Sequence, residues 1–305
     1  SACITDDNTG NGLNLASTPT QVLIIGHRAE GNTLSGILIP GATTLTIEGG
    51  QFLSNTRSGI ECTGSANSCS ITGGVYRGNT QYGLFLRGSS LSVSGVISQL
   101  NTLNGIHVIS VDAGAITGCI SEGNGADGMA LSSCTNITIS GNTIQSNSQT
   151  TTNTSDGIVV SGTVTGMVMT GNRVYQGAGA NVQRNGLTLP AGASASIVAD
   201  NDFTAGGTTA TVSYAGSSTI RNNLGYITEA KGTGTINNGS TAATITHGLS
   251  YTPTLGEISV IGAENATTDP GTIYITTITS TQFNVNVETD PGASNWDFHW
   301  AVRKI

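Results

Sequence analysis

A phrase of the form small or polar residue, Gly, Ile/Leu/Met, any residue, apolar residue recurs eight times along this chain of 305 residues. It reads NGLNL from Asn11, SGILI from Ser35, SGIEC from Ser58, YGLFL from Tyr82, NGIHV from Asn104, DGMAL from Asp127, DGIVV from Asp156 and NGLTL from Asn185. The glycines Gly12, Gly36, Gly59, Gly83, Gly105, Gly128, Gly157 and Gly186 are spaced by 24, 23, 24, 22, 23, 29 and 29 residues. A near-constant period of this length means stacked supersecondary units, each unable to bury its apolar face alone.

Between successive glycines lies a second phrase: LTIEGGQFLSN, CSITGGVYRGN, LSVSGVISQLN, GAITGCISEGN and ITISGNTIQSN, ending at Asn55, Asn79, Asn101, Asn124 and Asn147. Each repeat therefore holds two or three short alternating strands separated by Gly and Asn turns, with no window of helical periodicity. Such a unit is one rung of a right-handed parallel β-helix. The Asn column predicts a ladder, with side chains bonded to one another and to turn backbone, and with Asn itself in the left-handed conformation. The Gly column is expected to have the same origin, a turn requiring positive φ.

Only 9% of residues are charged, and Gly contributes 43 positions. That composition would suit a disordered chain, but the regular apolar period argues for a packed column of Ile, Leu, Val, Met and Cys. The net charge of −8 disfavours nucleic acid and anionic membrane surfaces as partners. No apolar run reaches transmembrane length. The opening SACITDDNTGNG reads as part of a rung without a signal peptide, so the start is expected to be a processing or cloning boundary. The cysteines Cys3, Cys62, Cys69, Cys119 and Cys134 are odd in number and form no CxxC pair, so neither a disulfide framework nor a zinc site is expected. Cys62 should face inward. Cys62 and Cys69 flank a tight turn, which leaves a bridge open as an alternative, with buried free thiols as the default. No cofactor-binding motif is present, and neither cofactor nor metal is expected. Asp200 and Asp202 are candidates for a cation, without the spacing of a calcium loop.

Rungs are expected over residues 1–230. Insertions sit in the two longer repeats, at Ser148–Ser155 and Gly177–Arg184; in solenoids such insertions project on one face, often the binding face. Residues 231–240, KGTGTINNGS, read as a linker. Residues 241–305 read as strands at Ala243–His247, Glu257–Gly262, Thr272–Thr279, Gln282–Glu288 and Trp296–Lys304, a small antiparallel β-sandwich. In the last strand Trp296, Phe298, Trp300 and Val302 alternate onto one face, which is either core or a self-association interface.

With a β-helix and a terminal β-module in hand, the chain resembles bacteriophage tailspikes, which are pectate-lyase-like right-handed β-helices. The segments ATITHGLSYTPT at Ala243–Thr254, TQFNV at Thr281–Val285 and FHWAV at Phe298–Val302 look like small C-terminal modules of phage tail proteins. The resemblance implies a homotrimer on the virion tail, outside the cell, with residues 241–305 as its trimerisation module. It implies host attachment through bacterial surface polysaccharide, capsule or O-antigen. Nothing in the sequence reads as a tailspike's usual N-terminal attachment domain, so the chain is expected to be a fragment.

Alignment on the Gly column predicts neighbours in space, because stacked rungs lie about 4.8 Å apart. Two residues after each Gly, pointing outward, stand Glu61, Phe85 and His107, with Arg87 four after Gly83. These four form a candidate exposed patch, joined by Tyr82. An aromatic ring beside Glu, Arg and His suits sugar recognition: the ring stacks on a pyranose, and the polar groups bond hydroxyls or a carboxylate. Immediately before the Gly, Asp127 and Asp156 fall in consecutive rungs. Two carboxylates that close repel, so one tends to hold a proton. That is the acid-plus-base arrangement of glycoside hydrolysis, with Glu122 on the same side as a third candidate. The plain alternative is a turn pair, since Asp before Gly is common. A non-catalytic adhesin, or a lyase using Arg87 or His107 to abstract a proton beside a uronate carboxylate, are the competing functions. His247 is expected to be structural.

Overall fold

The computed structural model describes residues 3–15, 19–64, 66–177, 181–263 and 266–304. They form two compact units, one of residues 1–219 with 223–225, the other of residues 220–222 with 226–305.

The first unit is the predicted all-β right-handed solenoid of about nine turns. One face is an eight-stranded parallel sheet running from Ile4–Asp6 through Arg28–Glu30, Gln51–Leu53, Val75–Arg77, Ile97–Gln99, Ile120–Glu122 and Thr143–Gln145 to Arg173–Tyr175. A larger parallel sheet covers the other two faces. Its long strands Leu84–Ser94 and Ile106–Thr117 pass around the corner between those faces, with a register shift between Arg87 and Gly88. Equivalent apolar residues stack in register: Ile37 on Ile60, Ile60 on Leu84, then Ile106, Met129, Ile158 and Leu187, all fully buried. Aromatic rings also enter this core, for Phe52 and Tyr76 stack at 4.9 Å.

The glycine column has a different cause from the expected one. Gly59 and its equivalents are not among the residues with positive φ. A Cβ on Gly59 would lie 2.7 Å from the carbonyl oxygen of Gly83, and one on Gly83 would lie 2.7 Å from that of Gly105. The rungs approach too closely for any side chain. Positive φ falls instead at the corner before each ladder asparagine, at Ser54, Gly78, Leu100, Gly123 and Ser146.

The asparagine ladder is continuous. Asn55, Asn79, Asn101 and Asn124 each accept a hydrogen bond from the backbone N–H and the side-chain amide of the preceding member, at 2.8 to 3.2 Å. Each also donates to a backbone carbonyl across the turn. Asn8 begins this run, giving its N–H and Nδ2 to Asn32 Oδ1 at 3.1 and 2.8 Å, and Asn147 closes it by receiving Asn124 and donating its N–H to Gln183. A second ladder at another corner, Asn142–Asn172–Asn201–Asn223, lay outside the sequence expectation. Buried amides matched in this way satisfy turn backbone that no strand can reach.

The second unit is two three-stranded antiparallel sheets. Trp296–Arg303 lies between Glu229–Ile236 and Ile258–Gly262; Gln282–Val287 lies between Ala242–Thr246 and Ile273–Thr276. The expected linker is thus corrected. Lys231 to Ile236 belong to a strand, whose alternation was hidden by Gly232 and Gly234, packed against the rings of Trp300 and Phe298. Trp296, Phe298, Trp300 and Val302 are spent in the core of this unit with Phe283 and Val285. His247 is buried there, its Nδ1 accepting the Leu249 N–H while Nε2 contacts the Thr279 carbonyl. Residues 264 and 265, in the expected ENATTDPG turn, lie outside the described residues. Among the described residues no helix is long and apolar enough to cross a membrane.

Candidate functional site

The outward column two after each glycine forms as expected. Leu38, Glu61, Phe85, His107, Ala130, Val159 and Thr188 stand side by side in strand register. At its middle the rings of Tyr82, Phe85 and His107 converge, with centroids 5.2 Å apart for Tyr82–Phe85, 5.1 Å for Tyr82–His107 and 5.4 Å for Phe85–His107. The Arg87 guanidinium lies 5.6 Å from the Phe85 centroid. All three rings are half-buried and Arg87 is exposed. Arg87 makes no ion pair among the described residues.

Glu61 departs from its expected exposure. It is 5% exposed, ion-paired to Arg57 at 2.6 Å and hydrogen-bonded by the Ser35 hydroxyl. Arg57 and Ser35 cover the carboxylate, and its charge is matched within the protein. His107 is held below the ordinary histidine pKa by burial and by the nearby Arg87 charge. Its Nδ1 is buried and makes no hydrogen bond. Burial, with the Glu61 charge, raises the Tyr82 phenol. The patch therefore presents aromatic faces, a cation and a neutral imidazole.

The residues before the glycines make a third ladder, from side-chain oxygen to the next backbone N–H. Asn104 accepts from Asp127 at 3.0 Å, Asp127 from Asp156 at 2.7 Å, and Asp156 from Asn185 at 3.1 Å. Asp127 and Asp156 are neighbours, as the spacing predicts. Their environments differ. Asp156 is fully buried; Arg184 donates Nε to its Oδ1 at 2.9 Å and Nη2 to its Oδ2 at 2.7 Å, and Asn185 Nδ2 adds a bond at 3.1 Å. Asp127 is half-buried and its carboxyl is pushed up to about 6, chiefly by burial and also by the Asp156 charge; the Asp156 N–H and Arg184 oppose the shift. One acid prone to hold a proton is present. Asp156 is the counter-ion of Arg184, with both oxygens engaged, and has no free oxygen to receive a proton from water.

Glu122 is not beside them. It lies on the eight-stranded sheet, where Gln99 Nε2 donates to its Oε2 at 2.9 Å, and it lines a groove of ≈ 680 Å³. The four residues that separate it from Asp127 turn the corner between two sheets, which a count along the chain does not reveal.

Cys62 and Cys69 are buried free thiols, and their mutual hydrogen bond together with burial raises the Cys62 thiol. Asp202 pairs with Arg173 at 3.5 Å. Among the described residues no three His, Cys, Asp or Glu side chains gather to hold a metal ion.

The profile of the family described as right handed beta helix region matches residues 82–249. No curated protein matches the sequence significantly. Among solved structures, the A-module of mannuronan C-5 epimerase AlgE6 of Azotobacter vinelandii is similar at 19% identity and a TM-score of 0.57, over 68% of this chain and 58% of that one. The A-module of AlgE4 from the same organism gives 18% identity and 0.52, with the same coverage. The Dettilon tailspike gives 14% identity and 0.49, over 92% of this chain and 73% of that one. The chain thus spans about three-fifths of the epimerase modules, and at these identities the likeness is one of fold. With over half its length matched by the family profile, the chain belongs to the right-handed β-helix family.

Proposed function

We propose that this chain is a tailspike-type receptor-binding protein that holds bacterial surface polysaccharide, capsule or O-antigen, on the patch of Tyr82, Phe85, Arg87 and His107. The observation that carries the reading is the three-ring cluster, half-exposed on a rigid sheet, with a cation that makes no ion pair among the described residues. Rings placed so offer stacking faces to pyranoses at small entropic cost, and Arg87 is free to pair with an acidic group on the glycan. A fold shared with modules named for action on mannuronan is compatible with a polysaccharide ligand. The same reading makes the chain extracellular, on a virion tail, and trimeric. Its terminal aromatic stripe is occupied internally, so trimer contacts would use other surface.

Cleavage is a second step of the proposal. Hydrolysis by Asp127 and Asp156 is disfavoured by the engagement of Asp156. His107, its pKa held down by burial and by the adjacent Arg87 charge, favours a lyase course. Arg87 would pair with a uronate carboxylate, and His107 would take the adjacent ring proton. The electron pair would form a C=C bond as the glycosidic oxygen departs, protonated by Tyr82.

The test measures binding of purified capsule and O-antigen polysaccharides to wild type, Phe85→Ala and Arg87→Gln, with unsaturated uronate and reducing ends assayed in parallel. The reading expects a glycan bound by wild type and lost, by about tenfold or more, in Phe85→Ala. A bound glycan indifferent to both substitutions would remove the patch from the function. Reducing ends without unsaturation would restore hydrolysis.

A further inference from the structure

The eight-stranded sheet carries a groove that the patch does not use. The third residue of each strand stands in one outward column: Arg77, Gln99, Glu122, Gln145 and Tyr175 in successive rungs. At about 4.8 Å per rung the column runs roughly 19 Å along the solenoid. Its volume of ≈ 680 Å³ falls within the range of ligand sites.

The groove is built, and its side chains are fixed before any ligand arrives. Gln99 donates to Glu122, and the Tyr175 hydroxyl donates to Gln145. The Arg173 guanidinium lies 4.4 Å over the Tyr175 ring. One wall comes from the insertions of the two longest rungs. Gln149 Nε2 donates to the Asn181 carbonyl at 2.8 Å, Asn181 Nδ2 donates back to the Gln149 carbonyl at 2.5 Å, and Gln149 itself lines the groove. Gln149 and Asn181 thus join the two insertions as a rim over this sheet.

We propose that this groove is a second saccharide site, taking a neutral, hydroxyl-rich chain. The lining carries one cation, Arg77, and one carboxylate, Glu122, so it offers no net charge to an anionic sugar. Side-chain amides both donate and accept, which matches hydroxyls, and Tyr175 contributes an aromatic edge. Glu122 is the only carboxylate lining the groove among the described residues. The carboxylate pair of glycoside hydrolysis is therefore lacking there, and the proposal is one of binding. The inference does not depend on the aromatic patch, which lies on a different sheet.

The experiment titrates the 305-residue chain with neutral hexasaccharides of glucose, galactose, mannose and rhamnose and with a uronate hexasaccharide, following the side-chain amide resonances of Gln99, Gln145 and Gln149. At least one neutral probe should move these resonances, and the uronate probe should not. Tyr175→Ala and Gln99→Glu should each weaken that probe about tenfold or more, while Phe85→Ala leaves it unchanged. Gln99→Glu keeps the ring and changes only an outer side chain, so a folding defect in Tyr175→Ala would not blunt the test. No shift with any neutral probe, or unchanged affinity in both variants, overturns the proposal; so does stronger binding of the uronate. Loss of the patch reading alone would show as failure of Phe85→Ala to affect polysaccharide binding, a separate measurement.

Discussion

Arg184 grips the buried carboxylate of Asp156 through two parallel hydrogen bonds, Nε to Oδ1 at 2.9 Å and Nη2 to Oδ2 at 2.7 Å. Removing the cation leaves a fully buried charge without its partner. Arg184→Ala should therefore cost about 3–5 kcal/mol. Asp156→Asn should cost less, because Arg184 is partly exposed and can rehydrate. Chemical unfolding of the two variants checks the order. A catalytic rather than structural Asp156 would show the opposite pattern, a stable variant without activity.

Asp127 predicts a pH dependence. Its folded carboxyl titrates at about 6, above the ordinary 3.8. Between those values the folded state holds more protons than the unfolded one, so stability falls as pH rises through this window and is level above it. Asp127→Asn keeps an oxygen for the Asp156 N–H. It should raise stability at pH 7 to 8 by on the order of 1–3 kcal/mol and flatten the slope between pH 4 and 6. Thermal melts across that range read both effects.

His107 should titrate below 6.5, since burial and then Arg87 lower its pKa. The sign for stability is opposite to that of Asp127: its contribution is complete above 6.5 and is lost as pH falls through the depressed value. Arg87→Gln removes the second cause and leaves the first. NMR titration should show the His107 pKa rising in that variant yet staying below 6.5. A value unmoved by the substitution would place the guanidinium away from the ring.

The asparagine ladder predicts a local weak point. Asn101 donates to Asn124 and Tyr76 and accepts from the N–H and the side chain of Asn79, at 2.9 to 3.0 Å. Asn101→Ala strands a buried N–H and a buried carbonyl. A loss of about 3 kcal/mol, with amide exchange quickened first in rungs 79 to 124, is the expected result. A variant as stable as wild type would mean that water replaces the amide.

The rung was legible in the repeat alone. Its period fixed which residues stack, so Glu61–Phe85–His107 and Asp127–Asp156 were legible as neighbours from spacing alone. Parallel stacking makes this possible, because equivalent positions must lie side by side at the strand spacing. Tertiary structure decided everything that depends on what crosses a corner or covers a side chain. It moved Glu122 to another sheet, buried Glu61 under Arg57, and brought Arg184 onto Asp156. It also turned the glycine column from a matter of φ into one of carbonyl clearance. It joined Gln149 to Asn181 across two insertions as the rim of a groove. Periodicity records which rung follows which; it carries no record of how far a corner turns or which side chain folds over its neighbour.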